Sequence, residues 1–476
     1  MSASFRDPSG RLLFVNGRVL RLVHSGAAAQ LQRFLDTQLA RDLTASGRLV
    51  SSAPLDHSPP EFRKQGLPIE FSHRSNGQLL IEHECIALQS FPFEWPPEML
   101  FEAGVLTLDL AEAALSVNYS LKDATPYNIL FSGTRAVFVD LLSFEERDPH
   151  DPTWLPLNQF LQTFLLPLLV NRYYGLKLDQ LFISNRDGIE PAQVSKLASP
   201  LQKLSPLFFS LVTAAQWLTR KEPKRDDRIY QPKRLDNPEK ARFILEQQLK
   251  RLRRLLLKVE PTSNKNSAWT QYMSERFVSS DYLQRKEDSV RAMLKVSAPS
   301  RVLDVGCNTG YFSALTAKAG AKVVAIDQDP EVVGAVWRRA VIEQLDILPL
   351  VVNLGRPTPA IGWRNEECPS FLERTRGQFD LVLMLAVLHH LLIVEQIPLS
   401  SILELTAELT TNYLLIEFVD PADGVFQHLV RRRGELFAGL TRESFETEAR
   451  RWFRIENQLQ LNQTRTLYLL TKTTDY

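Results

Sequence analysis

The chain has 476 residues, of which 44% are hydrophobic and 23% are charged, and its formal net charge at pH 7 is +1. This composition is typical of a folded protein of two or three domains and excludes a largely disordered chain. Because positive and negative charges nearly cancel, no overall electrostatic field favours a nucleic acid as the partner.

The first predicted elements are a β-hairpin and two helices. The strands Leu12–Val15 and Arg18–Val23 flank Asn16-Gly17, a dipeptide typical of two-residue hairpin turns. Apolar residues at helical spacing then predict a helix near residues 31–39 and a longer helix over about residues 98–115. The first half of the chain is therefore predicted to be an α+β domain.

Three polar residues after the longer helix resemble the catalytic segment of protein-kinase-like folds, especially of small-molecule phosphotransferases. Asp123, Asn128 and Asp140 match the base and metal ligands of that family in type and near spacing. The resemblance implies a kinase-like fold and magnesium-dependent use of ATP. The chain departs from the family pattern at Leu121-Lys122, where His-x is usual, and it lacks a Gly-rich phosphate loop. The alternative is a scaffold in which Asn128 caps backbone and Asp140 ends a strand.

A charged, proline-containing segment at residues 220–228 precedes a well-marked helix. Asn237 can cap the start of this helix, Pro238 suits its first turn, and Glu239 complements its dipole. Basic residues cover much of its surface, and such a face could bind anionic lipid or RNA. A bridging helix with a solvated basic face is the favoured interpretation. The apolar stripe of the helix consists of Leu245, Leu249, Leu252, Leu256 and Val259.

The most informative segment is a predicted buried strand that begins at Arg301 and ends in a glycine turn. Gly306 and Gly310 permit a tight turn and a close approach of a ligand to the backbone. A second strand ends at Asp327, whose carboxylate can hold a ribose. Because Asp304 precedes the turn and would repel a pyrophosphate, the charge favours a ligand with an ammonium or sulfonium group over a dinucleotide.

Further apolar strands predict a mostly parallel sheet covered on both faces. They are predicted from Ile347 to Leu354, from Phe379 into His389 and His390, and from Asn412 to Val419, with a closing pair after Phe453. Ligands of such sheets lie at the carboxyl ends of the strands. The polar residues expected at or near those ends are Asp304, Asp327, Asn353, His389 and Glu417.

Residues 270–476 resemble the class I methyltransferases that use S-adenosylmethionine (SAM), and in particular a bacterial two-domain group. The resemblance is carried by Asp304-Val-Gly-Cys-Asn-Thr-Gly310, Pro357–Trp363, Leu385–Leu391 and Ile416–Val419. It implies a Rossmann-like α/β domain with a seven-stranded sheet closed by an antiparallel pair. It also implies SAM as the cofactor, with no metal. The implied cofactor-binding residues are Asp304, Gly306 and Gly310 around the methionine part, Asp327 at the ribose, Asn353 near the adenine, Lys286 at the carboxylate and, in the glycine turn, Asn308.

His389 and His390 are the candidate bases if the acceptor must lose a proton, since imidazole titrates near neutral pH. The alternative is that one ring packs while the other bonds backbone. The chain has no Asn/Asp-Pro-Pro-Tyr/Phe tetrapeptide of the kind used by amino-group methyltransferases. An oxygen acceptor on a small molecule is therefore favoured, and Arg431–Arg433 could bind an anionic group on it. RNA is a less favoured acceptor.

The predicted organisation has three parts, with an accessory or acceptor-binding domain over residues 1–235. A basic helix and linker follow at 236–270, and the methyltransferase domain occupies 271–476. Cys85, Cys307 and Cys368 are too far apart in sequence to suggest a disulfide framework. The first residues lack the apolar core of a signal peptide, and no apolar run is long enough to span a bilayer. A cytoplasmic location is therefore expected, while the sequence leaves the oligomeric state open.

Overall fold

The computed structural model describes residues 2–4, 7–15, 17–55, 77–213, 234–262, 280–430, 434–437 and 439–473. The predicted linker at 220–228 and Arg431–Arg433 lie outside these residues. The chain divides into two compact units. Unit 1 comprises Met1–Phe93, Pro97–Thr262 and Gly362–Cys368, and unit 2 comprises Glu94–Pro96, Ser263–Ile361 and Pro369–Tyr476.

Unit 1 begins with an antiparallel five-stranded sheet of order β1-β2-β3-β5-β4. The predicted hairpin is confirmed, because Val15 of β2 pairs with Arg18 of β3. Alternate residues such as Leu13, Leu20 and Leu22 form a small buried core. The strands are β1 Ser2–Ser4, β2 Gly10–Val15, β3 Arg18–Val23, β4 Ser52–Leu55 and β5 Leu79–His83.

Two short strand pairs complete the sheet structure described in unit 1. Strands β6 and β9 pair with each other, and β7 and β8 form a hairpin that ends just before Asp140. Asn128 lies at the end of a short 3₁₀ turn, Pro126–Asn128, immediately before this hairpin. The strands are β6 Tyr119–Leu121, β7 Ile129–Ser132, β8 Arg135–Phe138 and β9 Phe144–Glu146.

Most helices of unit 1 follow the strands. The run from Leu157 to Tyr174 is helical throughout, with a π-helical turn at Leu161–Leu165. A second π-helical turn spans Phe209–Thr213. The helices are α1 Ser25–Leu35, α2 Gln38–Ala45, α3 Pro97–Ser116, α4 Leu157–Phe160, α5 Leu166–Tyr174, α6 Leu178–Phe182, α7 Pro191–Leu197, α8 Pro200–Leu204, α9 Pro206–Phe208 and α10 Pro238–Lys258.

The basic helix, α10, belongs to unit 1 and packs against α3. The Asn237 side chain caps it as predicted, accepting from the backbone N–H groups of Glu239 and Lys240 at 2.8 and 3.1 Å. All five residues of the predicted apolar stripe are buried. Arg253 is not free for an external partner, because it forms ion pairs with Asp109 and Glu112 of α3.

Unit 2 contains a seven-stranded sheet of order β12-β11-β10-β13-β14-β16-β15. The first five of these strands are parallel, and β16 runs antiparallel to both of its neighbours. This topology confirms the fold class predicted from the sequence. The strands are β10 Arg301–Val305, β11 Lys322–Asp327, β12 Ile347–Val351, β13 Phe379–Met384, β14 Thr410–Val419, β15 Phe453–Gln460 and β16 Arg465–Lys472.

Helices alternate with these strands and cover the sheet, as the buried strand sequences require. Among the residues that the structure covers, no helix is long and apolar enough to cross a membrane. Short 3₁₀ turns span Pro92–Glu94, Leu141–Ser143, Trp363–Asn365 and Gly434–Phe437. The helices of unit 2 are α11 Ser280–Ser297, α12 Tyr311–Lys318, α13 Pro330–Glu343, α14 Phe371–Thr375, α15 Leu388–Ile393, α16 Leu399–Leu409, α17 Gly424–Val430 and α18 Arg442–Ala449.

The predicted extent of the fourth strand of this sheet is wrong. Strand β13 ends at Met384, and both histidines lie on helix α15. Ala386, between the end of β13 and the start of α15, has a φ of 59°, in the left-handed region, and so interrupts the extended backbone. A continuous apolar run does not by itself distinguish a buried strand from a strand followed by a buried helix.

Candidate functional site

A cavity of about 330 Å³ lies at the carboxyl ends of the central parallel strands of unit 2. The strand ends of β10 and β11, and the loops after β12 and β13, supply most of its wall. Of the predicted site residues, the following line it: Lys286, Asp304, Gly306, Asn308, Asp327, Asn353 and His390. Gly310 and His389 do not.

The turn after β10 shapes the floor of the cavity. Gly306 has a φ of 67°, and its N–H donates to the Ile326 carbonyl of β11 at 2.9 Å. A Cβ at this position would lie 2.8 Å from the Val387 side chain, so only glycine fits. Gly310 has a φ of 72°, and a Cβ at this position would likewise lie 2.8 Å from the Val336 side chain. The missing Cβ at Gly306 thus lets Val387 pack against the turn, and that at Gly310 lets α12 pack on α13.

Asp304 is a carboxylic acid almost entirely removed from solvent. The residue is 2% exposed, and the Ser313 hydroxyl donates to its Oδ2 at 2.5 Å. Burial raises its pKa to about 7, and the negative charge of Asp327 acts in the same direction. No salt bridge reaches either carboxylate from the described residues. A cation entering the cavity would stabilise the ionised form of Asp304.

Asp327 ends β11 and organises the loop beside it. Its Oδ2 accepts from the backbone N–H of Asn308 at 3.0 Å, and its Oδ1 accepts from that of Asp329 at 3.1 Å. Burial raises the pKa of Asp327, and the two backbone N–H groups oppose the rise. The carboxylate remains part of the cavity wall, where it can accept hydrogen bonds from hydroxyl groups.

Asn353 follows β12 and has several partners in the wall. Its Nδ2 donates to Gln328 at 3.0 Å and to Glu395 at 3.2 Å, while its Oδ1 accepts from the N–H of Gly355 at 2.8 Å. Its carboxamide is therefore held in one orientation. Ligand contact at this position requires either the remaining lone pair of Oδ1 or the neighbouring Glu395.

The two histidines occupy different positions. His390 lines the cavity, whereas His389 is 1% exposed and lies outside the wall. Neither ring nitrogen of His389 has a hydrogen-bond partner among the described residues. Burial lowers the pKa of both rings, and that of His389 falls well below 6.5. Only His390 can therefore reach a molecule in the cavity.

A buried charged cluster lies beside the cavity, and Tyr282, Lys286 and Arg465 of this cluster line the wall. The sequence predicted Lys286 and Glu417 separately but not the pairing between them. Lys286 of α11 binds Glu417 of β14 with 2.5 Å between Nζ and Oε2, and Arg465 of β16 binds Asp423 at 2.9 Å. Tyr282 links the two ion pairs. The available signal was Glu417 itself, a charged residue inside an apolar strand. We call Tyr282, Lys286, Glu417, Asp423 and Arg465 the buried ionic cluster.

The candidate phosphotransferase residues in unit 1 form a separate group. Burial raises the pKa of Asp123, and the negative charge of Asp140 adds to the rise. Asp140 is bound by Arg21 of β3, with 2.8 Å between Oδ1 and Nη1. In the described part of the chain, no set of three or more His, Cys, Asp or Glu residues could hold a metal ion. The structure thus brings Asp123 and Asp140 near each other but leaves the kinase-like interpretation a prediction.

A family model for a methyltransferase domain matches residues 245–454. The C-terminal half of the chain contains a methyltransferase domain. The matched range includes the parallel strands at whose carboxyl ends the carboxylates, the glycine turn and Asn353 gather.

The whole chain is also similar to the nodulation protein NoeA of Rhizobium meliloti (strain 1021). The two are 28% identical over 473 residues, which cover 98% of this chain and 95% of NoeA. The crystal structure of the N-methyltransferase NodS from Bradyrhizobium japonicum WM9 is 16% identical and covers 40% of this chain and 97% of that chain, with a TM-score of 0.31. Magnesium protoporphyrin IX methyltransferase from Synechocystis PCC 6803, solved with bound S-adenosylhomocysteine, is 19% identical. It covers 43% of this chain and 92% of that chain, with a TM-score of 0.31.

The residues of the methyltransferase domain fit SAM, the methyl donor implied by the sequence. The turn at Gly306 forms part of the wall, and two carboxylates without salt bridges among the described residues suit a positively charged ligand. The cations in the wall, Lys286 and Arg465, already have carboxylate partners. Asp304 and Asp327 therefore leave the described part of the wall acidic overall, which disfavours a pyrophosphate.

Proposed function

We propose that unit 2 transfers a methyl group from SAM to a small-molecule acceptor, with an oxygen atom favoured. One observation carries the proposal: Asp304, the turn at Gly306, Asp327 and Asn353 line a single cavity at the carboxyl ends of the parallel strands. This is the position at which sheets of this kind bind their ligands.

Each residue has a distinct role in this proposal. Asp304 attracts the ammonium group of SAM, and Asp327 accepts hydrogen bonds from the ribose. Asn353 and its neighbour Glu395 lie at the adenine, and Lys286 faces the carboxylate. When bound, SAM supplies a methyl group already activated by the sulfonium. The protein then contributes mainly orientation and the exclusion of water.

His390 is the proposed base if the acceptor must lose a proton. It lines the cavity, and its lowered pKa keeps the ring neutral and able to accept a proton at neutral pH. His389 is the matched control, because it is adjacent in sequence but outside the wall. His390→Ala should lower kcat with little change in SAM affinity. Equal losses of kcat in His389→Ala and His390→Ala would contradict this role.

The acceptor can be found by incubating the protein with SAM labelled in its methyl group in an extract of the source organism. The expected result is a labelled small molecule whose formation requires Asp327. Label found mainly in RNA would favour the alternative of an RNA methyltransferase that uses the exposed basic residues of α10. Label in no product, despite tight SAM binding, would indicate a binding protein and contradict the proposal.

Phosphotransfer by unit 1 is the second candidate function. It is favoured by the position of Asp140, which is close enough for its negative charge to add to the effect of burial in raising the pKa of Asp123. Calorimetry with ATP and magnesium tests it. Heat of binding that is abolished in Asp140→Ala would support a nucleotide site. Absence of heat with the wild-type protein would remove this function.

A further inference from the structure

Glu417 is a charged residue in the interior of unit 2. It lies in β14 between Ile416 and Phe418, and all three residues are almost completely buried. Transfer of a carboxylate from water into such a site is costly unless charges and hydrogen bonds compensate it. An apolar residue of similar volume would often serve stability equally well at such a position. The charge of Glu417 therefore calls for an explanation beyond packing.

Both oxygens of Glu417 are bound by side chains from one helix. The Tyr282 hydroxyl donates to Oε1 at 2.5 Å, and the Lys286 ammonium donates to Oε2 at 2.5 Å. Burial alone would raise the pKa of Glu417, but the charges of Lys286 and Arg465 bring it below its usual value. Glu417 is therefore an anion that holds two donors in place.

The two donors are four residues apart in α11, so they lie on one face of this helix. Both line the cavity, whereas Glu417 does not. The rings of Phe312 and Tyr282 lie 5.1 and 5.8 Å from the Lys286 ammonium, which further limits its movement. Glu417 thus fixes, from behind, the part of the wall that Tyr282 and Lys286 present to a ligand.

A second carboxylate of the cluster, Asp423, holds Arg465, whose Nη1 also lies 3.5 Å from Glu417 Oε1. Arg465 binds Asp423 through two hydrogen bonds, of 2.9 and 3.0 Å, and donates to the Tyr282 hydroxyl at 3.1 Å. No hydrogen bond joins Asp423 to Lys286 in the described structure. Asp423 therefore provides a comparison: it is a buried carboxylate of the same cluster that does not contact the cavity lysine.

We infer that Glu417 is a positioning residue of the cosubstrate site, which acts by holding the Lys286 ammonium in the orientation that receives the carboxylate of SAM. The inference rests on the proposed function, in which Lys286 faces the SAM carboxylate. It goes further by assigning the pre-orientation of that contact to a strand residue more than one hundred positions away in sequence.

The test is a double-mutant cycle on SAM affinity, measured by calorimetry. Lys286→Met and Glu417→Gln should each weaken SAM binding by about tenfold or more, the usual effect of losing a charged hydrogen bond. Because Glu417 acts through Lys286, the double variant should bind about as weakly as Lys286→Met alone. Asp423→Asn should lower the unfolding temperature. Because Asp423 does not act through Lys286, any loss of SAM affinity that it causes should combine multiplicatively with the loss caused by Lys286→Met.

The outcomes separate the two claims. Absence of SAM binding by the wild-type protein would overturn the proposed function. If the wild-type protein binds SAM and Glu417→Gln binds it with full affinity, only the positioning role is overturned. The same holds if the double variant loses affinity by the product of the two single-variant losses. If Glu417→Gln fails to fold, Glu417→Asp, which keeps the charge but shortens the side chain that reaches Lys286, replaces it in the same cycle. A loss of affinity in the single Glu417 variant, with no further loss in the double variant relative to Lys286→Met, supports the inference. A further loss in the double variant contradicts it.

Discussion

Asp304 links the protonation state of the site to its ligand. With a pKa of about 7, raised mainly by burial, this carboxyl is neutral below pH 7 and ionised above it. Since a cationic ligand favours the ionised form, SAM affinity should weaken as the pH falls, by up to about tenfold per unit below 7.

Calorimetry with SAM from pH 6 to pH 8 measures this dependence. Asp304→Asn, which cannot ionise, should bind SAM weakly and with a much flatter pH profile. A wild-type affinity that stays constant over this range would contradict the role of Asp304. A variant that keeps the wild-type profile would instead assign the titration to another group, such as His390.

Asp327→Ala should weaken SAM binding by about 1–3 kcal/mol, the loss expected for a charged hydrogen bond. Asp346→Ala is a suitable control, because Asp346 is an exposed carboxylate directly before β12. It therefore lies at the amino ends of the parallel strands, opposite the cavity. Its removal should change the affinity little. If both variants bind SAM as the wild-type protein does, Asp327 does not contact the ribose.

The residues of the cavity differ in how well the sequence predicted them. Asp304 and Asp327 lie near or at the ends of strands with a strong apolar signal and Gly306 directly follows one, so their positions at the carboxyl ends of the strands could be expected. The contact between Lys286 and Glu417 could not, because the two residues are 131 positions apart and no local pattern pairs them. The sequence predicted that the charge of Asp304 favours a cationic ligand, whereas the burial of this carboxyl and its raised pKa became evident only from the structure.

Among the elements, helix α10 offers a direct comparison of its two faces. Leu249 is 2% exposed on the face that packs in unit 1, whereas Lys250 beside it is exposed. Leu249→Ala should lower the free energy of unfolding by about 2–5 kcal/mol through lost burial and a residual cavity. Lys250→Ala should change it by no more than about 0.5 kcal/mol.

Chemical denaturation of the full chain measures both variants. Small effects of both substitutions would contradict the packed position of α10. RNA binding at low salt that is lost in Lys250→Ala would show that the exposed face has a partner of its own.

The sequence predicted most elements of unit 2 because their periodicities are strong. It failed at the end of β13, where the backbone turns at Ala386 and α15 begins within the same apolar run. The physical reason is that strand and helix bury equally apolar residues there, so composition does not mark the change. The turn is set by tertiary packing and not by a glycine or proline in the sequence.

For the whole molecule, the sequence predicted domains that are each one continuous segment of the chain. In the structure, each compact unit also contains a short segment from elsewhere in the sequence. Gly362–Cys368 belongs to unit 1, in which Arg186 forms an ion pair with Glu367. Glu94–Pro96 belongs to unit 2, in which Arg374 binds Glu94. Such long-range pairs leave no trace in local composition, so neither short segment could be assigned from the sequence.

The central claim is that the acidic cavity of unit 2 binds SAM, a cosubstrate that is positively charged and carries no phosphate. Calorimetric titration of the full-length protein with SAM, and in parallel with NAD, tests it most directly. We expect the titration to show one SAM site per chain, with weaker affinity in Asp327→Ala, and to show no heat of binding with NAD. Binding of NAD in the absence of any SAM binding would contradict it.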